Sequence, residues 1–473
     1  MKRTDIIVAA IVVLVFGSCN IPKLKERKEN RTVPSSYFSL TDTTTVAEIN
    51  WRSYFGDSLL TELIDTALVN NQELNIMMQE IEISRNEVRA RKGEYLPSVK
   101  IGAASGMEKA GRYTRNGAVE EQLEVRPGEH FPEPLGDHVA GVYASWEIDI
   151  WRKLRNSKDA AMNRYLASIE GRNFMVTNLI SEIAGSYYEL MALDNQLKII
   201  EQNIVIQSSA LNIARQQKEA AKVTQLAVNR FEAQLLHTQS MEFEVKQQIV
   251  ETENRINFLT GRFPKPIKRN SDRFLNMKMD SIEAGIPSQL LVNRADIRQA
   301  ELQLKASRLD VKAARAEFYP SVRLTAGAGF QAFNPAYLVN PESMIYNLAG
   351  DLIAPIVNRN AIQANYLSSG AKQVQAAYVY EQTVVGAFID VINQLSKIQN
   401  YSAGYTLKAK EVAILDQSVT IANNLFLSAR ADYSEVLLTQ REALDSRMEL
   451  VELQMKQQCA RVSVYRALGG GWR

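Results

Sequence analysis

The sequence predicts a mainly α-helical protein with a transmembrane β part, built as two internal repeats. Three observations support this prediction. A short segment occurs twice, at residues 94–99 (EYLPSV) and at residues 317–322 (EFYPSV). Four segments alternate apolar and polar side chains, as β-strands do. Two long stretches lack proline, one between Pro134 and Pro264 and the other after Pro355, and both are rich in helix-forming residues.

The duplicated segment marks the same junction in both halves of the chain. In each copy a helical pattern ends and an alternating pattern begins, with proline between them, because proline disfavours helix in the residue before it. The offset between the copies is 320 − 97 = 223 positions. Further identities at that offset are Ser84/Ser307, Arg85/Arg308, Val88/Val311, Ala90/Ala313, Ala103/Ala326 and Gly106/Gly329. This regularity predicts repeat 1 at residues 51–263, a linker at 264–288 and repeat 2 at 289–473.

The first residues are typical of a bacterial export signal. Lys2 and Arg3 precede an apolar run at residues 6–16, which is too short to cross a bilayer as a helix. Small residues stand immediately before Cys19, and this pattern resembles a bacterial lipobox. We therefore expect residues 1–18 to be a signal peptide and Cys19 to carry a covalent N-terminal lipid, with no other cofactor. A plain signal peptide with a fortuitous cysteine is the alternative.

A tether and two helices are expected next. Residues 19–50 are polar, charged and turn-prone, so they predict an extended, lipidated N-terminal tether, with order beginning near Trp51. Apolar residues then recur at helical spacing over residues 57–68, where Asp57 can cap the first turn. A second helix is expected at about 72–92.

Four segments have the alternation of strands. They lie at about 98–108, 139–150, 321–332 and 344–356, and a Gly/Pro/charge-rich loop at about 109–137 separates the first two. One apolar and one polar face suits half-buried strands of a soluble protein or strands that cross a membrane. The expected lipid anchor favours membrane strands.

Four strands are too few to close a barrel, since the smallest single-chain barrels have about eight. An open edge inside a membrane would leave backbone groups unpaired, which is costly. We therefore expect the strands to be pooled between chains, and three copies would supply 3 × 4 = 12. The polar face would then line an aqueous barrel lumen through Lys100, Glu147, Asp149, Arg323 and Asp351.

The proline-free stretches predict long helices that fold back. In each stretch two apolar stripes recur every seven residues, which is typical of coiled-coil packing with neighbours on both sides, as in the wall of a tube. The core of a soluble helical bundle would have the same periodicity. A straight helix over 153–219 would be about 100 Å long, so we expect one turn in each stretch. The expected turns are near 221–224 and 431–434.

The two turns are duplicated as well, because the segments after them match at an offset of 442 − 232 = 210 positions. If each stretch folds back there, the tips lie farthest from the strands and form the entrance of the tube. A tube closed at this end must be held by contacts between the tip residues. These residues are Lys222, Val223, Thr224, Asp432, Tyr433, Ser434 and Glu435.

Composition argues against several other classes of protein. Lys+Arg 55 against Asp+Glu 53 gives no electrostatic attraction to nucleic acid. The two cysteines, Cys19 and Cys459, predict neither a disulfide framework nor a metal site, and the three histidines are scattered. The sequence has no phosphate-binding loop, zinc-ligand pair or nucleophile elbow, so we expect no enzyme.

Three short motifs can be compared with known families. They are Trp51…Phe55-Gly56-Asp57…Leu59, residues 286–301 (IPSQLLVNRADIRQAE) and residues 467–472 (ALGGGW). Together they resemble the TolC/OprM outer-membrane efflux proteins, and within them the NodT-type lipoproteins. The resemblance implies a TolC-like homotrimer in the bacterial outer membrane, with a 12-stranded barrel continuous with a long α-helical coiled-coil barrel in the periplasm. The tips would meet a periplasmic adaptor (membrane fusion) protein, itself coupled to an inner-membrane pump of the RND type.

One tip departs from the family pattern. Aligning on Gln440-Arg441 places Leu438 where the family has an aspartate that narrows the entrance. Asp432 and Glu435 are then the nearest acids, and solvated charges at a helix end are the simpler interpretation of both.

The resemblance implies a passive exit channel of a tripartite pump that exports drugs or other small molecules. Without a nucleotide site the chain cannot power transport, so the energy must come from a partner. Two alternatives stay open. One is the exit channel of a type I protein-secretion system, and the other is a structural coiled-coil periplasmic lipoprotein.

Overall fold

A computed structural model describes residues 21–24, 27–37, 44–277, 284–428 and 430–472. Cys19 and the expected signal peptide lie outside these ranges. The chain is mainly helical with one larger sheet, which confirms that part of the predicted fold class. In chain order the main elements are α1 (Trp51–Phe55), α2 (Ser58–Asn70), α3 (Gln72–Tyr95), β1 (Ser98–Glu108), α4 (Arg115–Gln122), β2 (Glu124–Arg126), β3 (Glu129–His130), β4 (Leu135–Ile148), α5 (Lys153–Glu219), α6 (Gln225–Leu259), α7 (Leu290–Asn293), α8 (Ala295–Ala316), β5 (Ser321–Ala332), β6 (Met344–Ile353), α9 (Asn360–Leu427) and α10 (Tyr433–Ala467).

The chain divides into two compact units, and each draws on both halves of the sequence. The sheet unit comprises residues 82–166 and 302–378 together with the described residues up to Lys28. The helical unit comprises residues 29–81, 167–301 and 379 onwards. The long helices α5 and α9 contribute residues to both units.

The main sheet is antiparallel with the strand order β1–β4–β5–β6. Its central pair, β4 with β5, joins a strand from the first half of the chain to one from the second. Gly141 and Gly329 stand opposite each other there, and a Cβ on Gly329 would lie 2.3 Å from the carbonyl oxygen of Ala140. Among the described residues β1 and β6 each pair on one side only, so the sheet of a single chain has two open edges.

The strands begin and end at slightly different residues from those expected. Strand β4 begins earlier, at Leu135, and ends at Ile148, while β6 ends at Ile353. The expected loop at 109–137 contains secondary structure of its own, because it holds helix α4 and the hairpin of β2 and β3. The hydroxyl of Thr114 caps α4 by accepting a hydrogen bond from the backbone N–H of Gly117.

The described parts of the N-terminal segment pack on the rest of the chain well before Trp51, so the expectation that order begins near Trp51 is wrong. In the sheet unit, Ile21 and Leu24 pack against a cluster formed by Ala314, Phe318 and Tyr366. In the helical unit, the ring of Tyr37 is fully buried and stacks on Phe388 with 5.6 Å between ring centroids. These apolar and aromatic side chains are few and widely spaced in a polar segment. Local composition therefore does not reveal that they pack.

The expected linker is also attached to the helical unit. The guanidinium of Arg269 donates two hydrogen bonds to the Asp194 carboxylate, at 2.6 and 2.8 Å, and also pairs with Glu253. Phe274, in a short 3₁₀ helix, is fully buried. The described part of this linker therefore packs against α5 and α6.

The three motifs that carry the family resemblance converge in the helical unit. Tyr54 stacks on Tyr465 with 4.2 Å between centroids, and the Tyr54 hydroxyl donates to the Arg461 carbonyl. Arg294 pairs with Asp296 at 2.7 Å and donates to the carbonyl of Ala467. Their first role is thus to join the beginning, the middle and the end of the chain.

No helix within the described ranges is both long enough and apolar enough to cross a membrane.

Candidate functional site

The polar face of the main sheet collects most of the charged residues expected to line a lumen. Directly opposite residues of an antiparallel pair share a face. Glu147 stands opposite Arg323, and Arg323 stands opposite Asp351, so one row crosses three strands. Glu147 forms a salt bridge with Arg323 at 4.0 Å and another with Lys153. The sequence alternation placed these three strand residues on a common face.

Lys100 lies on the same face but two rows away from the charged row. It stands opposite Tyr143 on β4, and Ser145 is the one residue of that face between Tyr143 and Glu147. Lys100 is exposed, and it has no ion-pair partner among the residues of the described part of the chain. It adds a positive charge to this face without joining the Glu147 row.

Asp149 is not a residue of the polar face, and this prediction is wrong. It follows the last residue of β4 and is buried. Its carboxylate accepts hydrogen bonds from the backbone N–H of Leu154 at 3.0 Å and of Arg155 at 2.9 Å, and it pairs with the Arg155 guanidinium at 3.1 Å. A carboxylate in this position satisfies the free amides at the start of a helix. Asp149 therefore caps the first turn of α5 and does not belong to the polar face of the sheet.

The other face of the sheet is apolar and exposed in the single chain. Ile101 is 87% exposed and Leu348 is 80% exposed. The register places them on a face shared with Val99, Val142, Leu324, Tyr346 and Leu352. A continuous apolar surface of this kind needs a lipid or protein partner, since soluble monomers rarely expose one. A sheet with one charged and one exposed apolar face can separate water from lipid.

The turns between the long helices lie close to the expected positions. Helix α5 ends at Glu219, and Lys222 and Val223 lie in the turn that follows. Thr224 caps α6, since its hydroxyl accepts a hydrogen bond from the N–H of Ala227 at 3.4 Å.

The second turn is shifted by a few residues from the expected 431–434. Helix α9 ends at Leu427, Asp432 occupies the N-cap position of α10, and Tyr433, Ser434 and Glu435 form the first turn of that helix. Acidic residues in this position stabilise a helix, because the helix N-terminus carries partial positive charge.

Both turns pack on one apolar cluster within the helical unit, which we call the tip cluster. Its buried residues come from all four long helices: Leu211, Ala214, Val228, Phe231, Phe426 and Val436. Val223 and Tyr433 are half-buried against it. The two duplicated tips are thus brought together in one chain by apolar contact.

The charged tip residues remain at the surface. Lys222, Asp432 and Glu435 are exposed, as are Thr224 and Ser434. Neither acid forms an ion pair with another residue in the described part of the chain. The arrangement leaves two carboxylates and one ammonium group free for a neighbouring molecule.

Sequence reasoning missed the polar residues that accompany the tip cluster. The side-chain amide of Gln440 donates to the side-chain oxygen of Asn423 at 3.2 Å, which links α9 to α10. Both residues line a cavity of about 300 Å³ together with Phe231 and Phe426. The only sequence signal near these residues was the apolar heptad stripe, which includes Phe426. Because the stripe consists of apolar positions, it does not predict the polar residues between stripes.

No candidate metal centre accompanies these surfaces in the residues that the structure describes. There, His, Cys, Asp and Glu side chains form no group of three that could hold a metal ion. The thiol of Cys459 is half-buried, and its partial burial raises its pKa to about 11. A thiol that stays protonated at neutral pH is a poor nucleophile.

Comparison with known proteins agrees with this geometry. A family model described as outer membrane efflux protein matches residues 63–262 and 286–470. The cation efflux system protein CusC of Escherichia coli is 28% identical over 426 residues, which are 89% of this chain and 88% of that protein. The toluene efflux pump outer membrane protein TtgI of Pseudomonas putida is 27% identical over 428 residues, which are 89% of this chain and 87% of that protein.

A solved structure has the same fold. The crystal structure of the open state of the Neisseria gonorrhoeae MtrE outer membrane channel matches with a TM-score of 0.83 and 22% identity. The match covers 96% of this chain and 98% of that one.

Proposed function

This chain belongs to the outer membrane efflux protein family, and we propose on that premise that it forms the passive exit channel of a tripartite efflux pump. The observation that carries the proposal is the four-stranded sheet with a charged face and an exposed apolar face. Such a sheet is suited to a barrel wall with water inside and lipid outside.

The barrel is a trimer in this proposal. A single chain leaves β1 and β6 unpaired on one side each, and open edges are not tolerated in the hydrocarbon layer. Three chains that pair β6 of one with β1 of the next give 3 × 4 = 12 strands and no edge. Lys100, Glu147, Arg323 and Asp351 then face the aqueous lumen.

The long helices would form a coiled-coil tube in the periplasm that leads to the barrel. At its far end the exposed tip residues dock a periplasmic adaptor, and the half-buried ring of Tyr433 holds the resting entrance closed against the tip cluster. An inner-membrane pump of the RND type supplies the energy. The relatives are named for a cation and for toluene, so this architecture supports cargoes of unrelated chemistry, selected upstream by the pump.

The N-terminal lipid on Cys19 would anchor the chain in the leaflet of the outer membrane that faces the periplasm. Ile21 and Leu24, only a few residues further on, pack against the cluster around Phe318 in the sheet unit. This contact holds the start of the mature chain near the end of the strands, where the edge of the membrane would lie.

The test is to identify the partners and the cargo together. The tagged chain is cross-linked in intact cells and purified, and co-purification of an adaptor and an RND pump is expected. Deletion of the gene should raise the intracellular accumulation of a small pump substrate such as ethidium, and the wild-type gene should restore export. Recovery of an ATP-driven transporter, with loss of a secreted polypeptide and unchanged ethidium export, would instead establish type I secretion.

A further inference from the structure

A cavity in the sheet unit carries three positive charges and two aromatic rings. Its volume is about 430 Å³, and it lies where β4 leads into α5 and α8 leads towards β5. Its lining includes Trp151, Arg152, Lys312, Arg315 and Tyr319. We call it the basic cavity.

The three cations of the basic cavity are available for a ligand. Arg152, Lys312 and Arg315 are exposed, and in the described part of the chain none of them forms an ion pair. The one acid that lines the cavity, Asp159, is paired with Lys158 at 3.1 Å. The cavity therefore carries uncompensated positive charge.

The backbone holds one of these cations in a constrained position. Arg152 has a φ of 60°, a left-handed backbone conformation that residues other than glycine rarely adopt. Its N–H donates to the carbonyl of Asp149 at 3.4 Å, and its carbonyl accepts from the N–H of Asn156 at 2.9 Å. A strained backbone conformation persists only where surrounding contacts hold it, and such residues are frequent at ligand-binding sites.

The aromatic rings give the cavity an apolar rim. Trp151 and Tyr319 stack with 4.7 Å between centroids, and the Trp151 indole N–H donates to the carbonyl of Pro320 at 2.8 Å. Trp151 comes three positions after Ile148, the last residue of the apolar face on β4. Tryptophan and tyrosine in this position are typical of the headgroup layer of a membrane.

The expected lipid on Cys19 would also bring this region near the membrane surface. Ala314 and Phe318, the residues preceding Arg315 and Tyr319, pack against Ile21 and Leu24. Ile21 is two positions after Cys19, a separation of at most about 7 Å along an extended chain. A lipid on Cys19 would thus enter the membrane close to the basic cavity.

We propose that the basic cavity binds the phosphate of an anionic phospholipid from the periplasmic leaflet of the outer membrane. Arginine and lysine form strong charge-assisted hydrogen bonds with phosphate, and the stacked rings contact the glycerol and the first carbons of the acyl chains. The location of the cavity at the membrane surface rests on the proposed outer-membrane function.

The test measures phospholipid binding to the full-length protein in detergent by native mass spectrometry. Delipidated protein is titrated with phosphatidylglycerol, with diacylglycerol, which lacks phosphate, and with inorganic phosphate. We expect saturable binding of phosphatidylglycerol and none of diacylglycerol. The combined variant Arg152→Gln, Lys312→Gln and Arg315→Gln should bind phosphatidylglycerol about tenfold more weakly or worse, because charge-assisted bonds are lost.

A matched control removes the same number and kinds of charge elsewhere. Arg230, Lys410 and Arg441 are exposed and form no ion pair with another described residue. Their combined replacement by glutamine should leave phosphatidylglycerol binding unchanged. The single variant Lys312→Glu provides a second, milder test, and it should weaken binding even if the triple variant folds poorly.

Three results would contradict the proposal that the basic cavity binds a phospholipid. They are no saturable binding by the wild type, equal weakening in the control variant, and binding of inorganic phosphate as tight as that of phosphatidylglycerol. The efflux assay on the same variants separates this inference from the channel proposal. Loss of lipid binding with normal ethidium export supports the site, whereas a wild type that exports ethidium but binds no lipid overturns the site alone.

Discussion

Asp149 joins the end of a strand to the first turn of a 67-residue helix. Its carboxylate accepts two backbone N–H groups and pairs with Arg155, while being almost fully buried. Loss of this side chain leaves amides at the start of α5 without partners, and it leaves a guanidinium without its counter-charge. The residue therefore matters to stability at the junction of β4 with α5.

We expect Asp149→Ala to lower the free energy of unfolding by about 2 kcal/mol, the upper range for a lost helix cap. The measurement is denaturant unfolding in detergent, followed by circular dichroism. Asp351→Ala is the matched control, because Asp351 is exposed on the polar face and caps no helix; its effect should be small. Equal destabilisation by the two substitutions would show that the cap at Asp149 has no special role.

A second prediction at the residue scale concerns the anchor. Cys19→Ala should abolish labelling of the protein by radioactive palmitate, because an alanine has no thiol to acylate. Cys459→Ala is the control and should be labelled like the wild type, since Cys459 lies half-buried in helix α10 and outside the expected lipobox. Normal labelling of Cys19→Ala would contradict the lipoprotein assignment.

At the scale of elements, the two helical turns act as one structure. Val223 from the first turn and Tyr433 from the second pack on the same tip cluster, while Glu435 stays exposed. A closed entrance must exchange such contacts for adaptor contacts when it opens. In the proposed gate the ring of Tyr433 would stabilise the closed tip, and the exposed Glu435 would meet a neighbouring molecule.

We expect Tyr433→Ala combined with Glu435→Ala to raise the conductance of single channels in planar bilayers. Removal of the ring takes about 1.5 kcal/mol of apolar contact from the closed state, so the open population should rise about tenfold. Ser434→Ala is the control, because Ser434 is exposed between the two sites and its removal should leave conductance unchanged. Wild-type conductance in the double variant, with the trimer intact, would place the gate elsewhere along the tube.

At the scale of the whole molecule, the open sheet is the basis of the proposed trimer. The two unpaired edges and the exposed apolar face both require partners that one chain does not supply. Sedimentation in detergent should therefore give a trimer, and monomers separated by denaturant should lose the β signal in circular dichroism. A stable monomer that keeps its sheet would contradict the twelve-stranded barrel.

The sequence by itself determined the order and kind of the main elements. Period-two alternation located β1 and β5, heptad stripes located α5 and α9, and three short motifs identified the family. These signals are local, since each depends on side chains within one segment and on the geometry of a single strand or helix. They even placed Glu147, Arg323 and Asp351 on one face, because alternation fixes the side of the sheet on which each side chain lies.

Only the tertiary structure decided which residues meet. Glu147 and Arg323 are 323 − 147 = 176 positions apart, and their pairing follows from the register between β4 and β5. The fully buried ring of Tyr37 and the shared packing of Val223 with Tyr433 likewise depend on distant segments. Asp149 shows the limit most clearly, because alternation continued past the end of its strand predicts a lumen residue, whereas two backbone amides of the next helix bind its carboxylate. Contacts between distant segments are set by packing and hydrogen bonding in three dimensions, and local periodicity does not encode them.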